Sequence, residues 1–415
     1  MNHKLRADAE AIVRAAIDAV KPEEAVRRLL EQHSPTGKIY LVAVGKAAWR
    51  MARAACRLVE VERGVVITKY GHVEQPLPGL GCFEAGHPVP DENGVRATQA
   101  ALELTEHLTA DDTVLFLLSG GGSALFERPL VPLAELQDIT TQLLACGAEI
   151  TEINTIRKRL SAVKGGRFAQ WCAPARVMTV VLSDVLGDRL DMIASGPAAP
   201  DSSTAADAMA IVEKYGLTLR PETRELLTRE TPKALDNVTS HIIGSVRELV
   251  QAAEGKCREL GYEPVFLTDR LCCEARAAGS FLGSILRSHS GAGKKLAFLA
   301  GGETVVHLTG SGLGGRNQEI ALAAAEQLAE LPDAAVISVG SDGTDGPTDA
   351  AGGYADGDTL RELGRLGLTP EEILRRNDAY HGLKAVDGLI ITGPTGTNVN
   401  DISVALLGDE TTQKG

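Results

Sequence analysis

The sequence predicts an α/β protein of two domains with mostly parallel sheets. Three observations carry this. Short apolar runs of the kind that form strands buried on both faces recur at residues 39–44, 113–118, 177–182, 295–300 and 334–339. Helical patterns separate them, the alternation that builds βαβ units. The chain has 415 residues, more than one ordinary core encloses, so two domains are expected.

Composition narrows the function. Hydrophobic residues make up 44% of the chain, and 44 glycines suit a globular protein with many tight strand-to-helix turns. The formal net charge of −13 argues against nucleic acid or an acidic membrane surface as partner. A locally basic site for a small anion remains compatible with it. Seven scattered cysteines form no CxxC pair, and Cys272 and Cys273 are adjacent, which points to a reduced, cytoplasmic setting. The N-terminus opens into an amphipathic helix without the apolar core of a signal peptide, and no run reaches the length of a membrane span.

In chain order, residues 5–32 read as two surface helices broken near Lys21-Pro22. The strand at 39–44 ends in Gly45-Lys46, and a helix follows at once, so Lys46 lies where an anion would meet a helix N-terminus. Strand-like runs follow at 64–68 and 83–88, where His87 reads first as a turn residue, and then a helix over 97–108. The strand at 113–118 discharges into Ser119-Gly120-Gly121-Gly122-Ser123, whose amides and hydroxyls have the makings of a phosphate nest. No Lys-Ser/Thr follows at Walker A spacing. Residues 133–170 are helical and carry a basic patch at Arg157, Lys158, Arg159, Lys164 and Arg167. The strand at 177–182 releases Ser183, Asp184 and Asp188, followed by Ser195-Gly196-Pro197 and Asp201.

The domain crossing is expected near Asn237, giving domains 1–237 and 238–415, with the last strand free to return to the first. A fresh βαβ pattern starts at His241, and the strand at 295–300 ends in Gly301-Gly302-Glu303-Thr304. Gly310-Ser311-Gly312-Leu313-Gly314-Gly315 satisfies GxGxxG, and Asp342 lies where a ribose-binding acid would belong. That admits a nicotinamide-dependent reductase. Against it, residues 305–309 look like a hairpin return rather than a first Rossmann strand, and Arg316 follows the last glycine directly. The strand at 334–339 reads as parallel and feeds SDGTDGPTDAAGG at 341–353, dense in carboxylates, hydroxyls and glycines. Helices follow at 356–366 and 370–377, then strands at 388–392 and 402–407. Such loops at strand ends suit a polyphosphate, a divalent cation and a small anion. From residues alone the reading is phosphoryl transfer or other nucleotide chemistry; a non-catalytic nucleotide or sugar-phosphate sensor would not need the acidic loops.

The motifs LVAVGKAA at 41–48, LLSGGGSAL at 117–125, SDVLGD at 183–188, SGP at 195–197, GGET at 301–304, GGRNQE at 314–319, SDGTDGPTDAAGG at 341–353 and GPTGTNVND at 393–401 together resemble the glycerate 2-kinase family, the class II glycerate kinases with a C-terminal MOFRL domain. The resemblance spans nearly the whole chain. It implies ATP-dependent phosphorylation of D-glycerate at the 2-hydroxyl with Mg²⁺, in a cleft between two α/β/α domains, the N-terminal one Rossmann-like. Some members of the family have been called hydroxypyruvate reductase. Lys46 and Arg316 match the family's basic catalytic residues. Asp184, Asp188 and Asp345 are candidates for Mg²⁺, with Asp188 preferred as general base. Glu303 would bind metal or orient Arg316. Ser119, Gly120, Gly121, Gly122, Ser123, Gly302 and Thr304 would hold substrate or phosphate oxygens, and Thr397, Asn398 and Asn400 the nucleotide side. A homodimer is one assembly compatible with this reading.

Overall fold

The computed structural model describes residues 1–408. The chain divides into two compact units, one of Pro22–Ile243 and one of Met1–Lys21 joined with the chain from Gly244 onward. This differs from the expected 1–237 and 238–415 in two ways. The first 21 residues belong with the C-terminal unit, and the division follows the strand near residue 240 instead of preceding it.

The Pro22–Ile243 unit is built on six strands: β1 (Lys38–Val44), β2 (Arg63–Lys69), β3 (Leu80–Ala85), β4 (Asp112–Leu118), β5 (Arg176–Leu182) and β6 (Val238–Gly244). Their order is β3-β2-β1-β4-β5-β6, the order of a dinucleotide-type doubly wound sheet. The pairings β2–β3, β1–β2, β1–β4 and β4–β5 are all parallel. β1 and β4 are buried for most or all of their length. Phe116, Phe126 and Phe168 pack with ring centroids 4.7–5.7 Å apart in the core on one face. The Rossmann-like expectation holds here. One part of it is corrected: β6 was expected to start the second domain, yet it completes this sheet. A strand's pattern announces that it will be buried, not against which neighbour.

The second unit carries β7 (Glu263–Leu271), β8 (Leu296–Gly302), β9 (Ala334–Gly340), β10 (Gly352–Asp356), β11 (Leu389–Ile390) and β12 (Asp401–Leu407), in the order β11-β10-β9-β12-β8-β7. Only β7–β8 is parallel among its pairings. β12 runs antiparallel between β8 and β9, and β10 pairs antiparallel with β9 and β11. The expectation of mostly parallel sheets therefore fits the first sheet and not the second. β9 is fully buried, as its apolar run requires, but both its partners are antiparallel. The last strand stays in this unit. Residues 305–309 make no hairpin; Val305 forms an isolated bridge with Glu274. The strand expected at 388–392 shrinks to Leu389–Ile390, and β10 lies where the sequence was read as loop and helix start.

Helix His3–Ala19 docks in this second unit through Leu5, Ala9, Ile12, Val13, Ala16 and Ile17. Asn2 caps it, accepting from Leu5 N at 3.1 Å. Thr397 Oγ1 donates to Val20 O at 2.8 Å and ties the end of the helix to the 393–400 loop.

Candidate functional site

In the Pro22–Ile243 unit the strand order reverses between β1 and β4, so their carboxyl ends open the crevice where such sheets bind ligands. Lys46 leaves β1 at that point and Ser119–Ser123 leaves β4. Lys46 N donates to Gly120 O at 2.9 Å, and Ala47 N to Ser119 Oγ at 3.0 Å, so the two loops are stitched together. Gly45 and Gly121 adopt φ of 120° and 87°, values that favour glycine. A methyl group at Gly45 would overlap Ser119. At Gly120 it would overlap the Asp184 carboxylate, and at Gly121 it would lie 3.0 Å from His87 Cδ2 and 3.3 Å from Lys46 Cγ. Lys46, Asp184 and the triple glycine thus form one cluster.

His87 joins this cluster, although its place before Pro88 in a turn favoured a structural role. Burial pulls its pKa below the ordinary imidazole value, and the charges of Lys46 and Lys69 pull it further. Ser123 Oγ lies 2.9 Å from Ser195 Oγ, which donates to Asn154 Oδ1 at 2.9 Å. Arg157 Nη2 donates to Ser123 O at 3.0 Å. The basic patch read in the sequence therefore splits. Arg157 supports the glycine loop, while Lys158 and Arg159 are buried around Asp201.

Asp188 adopts a φ of 54° and lines a 610 Å³ cavity with Arg189, Asp191, Ser202, Leu235 and Ser240. Lys46, Asp184 and the glycine loop do not line that cavity.

In the second unit, Arg316 opens helix Arg316–Leu328. Its Nε and Nη2 donate to the two oxygens of Asp401 at 2.5 and 3.0 Å, and its Nη1 donates to Glu303 Oε1 at 3.0 Å. Glu303 thus orients Arg316, one of its two expected roles. Asp401 is the residue the sequence reading missed. It sits at the start of β12 in register with Gly302 on one side and Gly340 on the other, between the GGET and SDGTDG loops. Its presence at the end of the GPTGTNVND motif was the available signal. Burial pushes its pKa up to about 6, with Asp345 adding to the rise and Arg316 opposing it. Burial also weakens the charge on Arg316, but hydrogen bonds and attraction from Asp401, then Glu303, more than offset it and raise its pKa.

Asp345, expected as a metal contact, accepts hydrogen bonds from the start of the Arg316 helix. Its Oδ1 accepts from Asn317 N at 3.1 Å and its Oδ2 from Gln318 N at 2.9 Å, so both oxygens satisfy the first amides of the Arg316 helix. Burial raises its pKa and these amides lower it. Thr304 is buried and its Oγ1 has no partner among the described residues. Thr397 spends its hydroxyl on Val20 O. Asn400, at φ 66°, accepts through its carbonyl from Ser341 N at 3.0 Å, and Asn400 N donates to Asn398 Oδ1 at 3.4 Å. No group of three or more His, Cys, Asp or Glu able to hold a metal occurs among the described residues. Magnesium asks for less, since it commonly takes one or two carboxylates with phosphate and water oxygens. The half-buried Asp184 carboxylate against Gly120 fits that demand.

The GSGLGG stretch is engaged by its own unit. Thr309 N and Gly310 N donate to Asn377 Oδ1 at 2.7 and 2.8 Å, Gly312 N to Arg376 O at 2.9 Å, and Leu313 N to Asp378 Oδ1 at 3.0 Å. Methyl groups at Gly310 and Gly312 would run into Arg376 and Asp378. These glycines allow chain to pack on chain, and their amides are not left open for a pyrophosphate.

A doubly wound sheet with a lysine and a triple-glycine loop at its switch point has the layout of a ligand-binding α/β protein. Comparison with known proteins gives the particular group. Residues 8–228 match a domain of unknown function, DUF4147, and residues 296–401 match the MOFRL family. The D-glycerate 2-kinase of Thermotoga maritima is 51% identical, over 95% of this chain and 97% of the relative. The glycerate 2-kinase of Pyrococcus horikoshii is 40% identical, over 95% and 93%. A crystal structure of glycerate kinase from Thermotoga maritima superposes with a TM-score of 0.95 at 50% identity, covering 98% of this chain and 100% of that one. The chain belongs to the MOFRL-domain glycerate kinase family.

Proposed function

We propose that this protein transfers the γ-phosphoryl group of ATP to the 2-hydroxyl of D-glycerate, releasing 2-phosphoglycerate and ADP. The observation that carries the reading is the cluster of Lys46, the Ser119–Ser123 loop and Asp184 at the carboxyl ends of β1, β4 and β5. Relatives named as glycerate 2-kinases, similar over nearly their full length, support the substrate and the position.

Each group has a physical role in this reaction. Phosphoryl transfer needs positioning and neutralisation of oxygen charge more than covalent chemistry. Lys46 supplies a cation to the migrating phosphoryl or the glycerate carboxylate, and the glycine loop supplies backbone donors. Arg316 serves the same chemistry from the second unit, its guanidinium fixed by Asp401 and Glu303. Mg²⁺, arriving with the ATP phosphates, would meet Asp184 and would neutralise charge between the phosphates. Asp188, held by a left-handed backbone, is the proposed acceptor of the hydroxyl proton. Asp345 acts by holding the Arg316 helix in place. Seven free cysteines are in keeping with work in a reducing cytoplasm, and among the described residues no helix is long and apolar enough to cross a membrane.

A hydroxypyruvate reductase reading rested on GSGLGG, and the amides of Gly310, Gly312 and Leu313 in that stretch are occupied within the chain. The test is ADP release on incubation with D-glycerate and MgATP, beside a mixture of hydroxypyruvate and NADH. The reading expects glycerate-dependent ADP release and no NADH loss. NADH consumption without ADP release would overturn it.

A further inference from the structure

Along the carboxyl edge of the first sheet the side chains are sorted by charge. In the order β3-β2-β1-β4-β5, β3 is followed by His87, β2 ends in Lys69, β1 is followed by Lys46, β4 by the triple glycine and β5 by Asp184. Neighbouring strands lie about 4.8 Å apart, so the imidazole and the acid leave opposite ends of this row. Two strands separate β3 from β4, yet the His87 ring reaches the glycine loop. A methyl group at Gly121 would lie 3.0 Å from His87 Cδ2, 3.2 Å from its Nε2 and 3.3 Å from Lys46 Cγ, whereas one at Gly120 would overlap Asp184. Gly121 therefore faces the nitrogen-bearing side chains and Gly120 the carboxylate.

Lys46, Lys69 and His87 are all half-buried, and none of their side chains makes a hydrogen bond or ion pair among the described residues. Lys69 pairs in register with Ala85, two residues before His87, and its charge and that of Lys46 both act on the imidazole. The nearby carboxylates are engaged elsewhere. Glu84 accepts from His72 N and Val73 N at 2.9 Å each, and Asp91 from Tyr70 OH at 2.7 Å and Gly94 N at 2.9 Å. His72 Nδ1, 3.0 Å from Lys46 O, holds the Lys46 backbone. Two uncompensated ammonium groups beside an imidazole, which keeps an N–H donor in either protonation state, suit an oxyanion.

We propose that His87 and Lys69, with Lys46, form the subsite for the glycerate carboxylate, leaving the Asp184 side of the glycine loop to the phosphates. A carboxylate keeps its charge throughout the reaction and brings no metal, so cations and an N–H donor without a competing acid hold it best. Phosphates that arrive with Mg²⁺ favour the end that carries a carboxylate. The 2-hydroxyl sits on the carbon next to the carboxylate, so fixing one places the other. The proposal rests on the kinase reading for the identity of the acceptor, and every residue it uses lies in the Pro22–Ile243 unit.

The test uses the full-length protein with His87→Ala and Lys69→Met; the second, at a half-buried strand end, keeps the experiment readable if the first does not fold. D-glycerate binding is measured by calorimetry, and KM for D-glycerate and for ATP by turnover. D-glyceramide, with a neutral amide in place of the carboxylate, serves as a second acceptor. Loss of one charge-assisted contact corresponds to a rise of roughly 10- to 100-fold in Kd. The proposal expects that rise in Kd and KM for D-glycerate, an unchanged KM for ATP, and a preference for D-glycerate over D-glyceramide reduced by the same factor. A raised KM for ATP with D-glycerate unaffected would overturn it and assign these groups to the donor phosphates. A fall in kcat for both acceptors alike, with the preference kept, would mark a structural role and overturn it. Turnover of D-glycerate with unchanged KM in both variants would remove the subsite and leave the kinase reading intact. Wild-type protein that binds D-glycerate, with the variants weakened, but consumes no ATP would remove the kinase reading and keep the carboxylate subsite.

Discussion

Arg316 illustrates how one side chain is prepared for work on anions. Left alone, a half-buried guanidinium would sample several rotamers; bidentate pairing with Asp401 and a third bond to Glu303 hold it in one. The arrangement depends on Asp401 being charged. Its carboxyl is lifted to about 6 by burial, so the ionised form dominates above that pH and is lost as pH falls through it. The groups facing it are Arg316, Asp345 and Asn317, with Glu303 on the far side of the guanidinium. We expect kcat/KM to drop on the acid side with an apparent pKa near this value, and Asp401→Asn to remove that limb while lowering activity at pH 7 roughly 10- to 100-fold. A pH–rate profile of both proteins decides this; an acid limb unchanged in Asp401→Asn would assign it to another group. Lys46 and the triple glycine were legible in the sequence because strand, turn and helix follow one another without a gap. Asp401 was not, because its partner lies 85 residues away and the pairing exists only once β12 inserts beside β8.

At the scale of elements, helix Ile150–Arg159 shows how buried charge organises the floor of the first unit. Lys158 Nζ lies 3.0 Å from Asp201 Oδ1 and Arg159 Nη1 3.6 Å from Oδ2, with Thr231 Oγ1 donating to Asp201 at 2.7 Å. Burial alone would raise the Asp201 pKa, but Thr231, Lys158 and Ser203 more than offset that and lower it. A depressed carboxylate stabilises the fold fully above its unfolded value, near 4, and loses that contribution as pH falls through its folded value. Removing Asp201 takes the carboxylate that Lys158 and Arg159 share, leaving Lys158 with Asp191 at 3.6 Å and Arg159 with the half-exposed Glu230 at 3.4 Å. Asp201→Ala is expected to lose roughly 3–5 kcal/mol, and calorimetry should find the corresponding transition lowered by several degrees. A shift below about 1 kcal/mol would mean the cations find other partners. Strand existence was readable at this scale, since β1, β4, β5, β8 and β9 all appear as apolar runs. Strand direction and sheet membership were not. Period and hydrophobicity report burial, and β6, β9 and β12 found neighbours that no local pattern names. The GSGLGG loop failed as a motif for a related reason: the acceptors that consume its amides lie at Arg376, Asn377 and Asp378, more than sixty residues away.

For the whole molecule, a net charge of −13 frames the chemistry. An acidic protein with the proposed activity must concentrate cations where anions bind, and the candidates are Lys46 at the end of β1 in one unit and Arg316 at a helix start in the other. Each is proposed to be needed for phosphoryl transfer to the 2-hydroxyl. The most direct measurement is the ³¹P spectrum of the protein after incubation with D-glycerate, ATP and Mg²⁺, repeated with Lys46→Ala and Arg316→Ala. The expected product is 2-phosphoglycerate, with the rate in each variant reduced roughly 100- to 1000-fold. A 3-phosphoglycerate signal, or undiminished turnover in either variant, would contradict it.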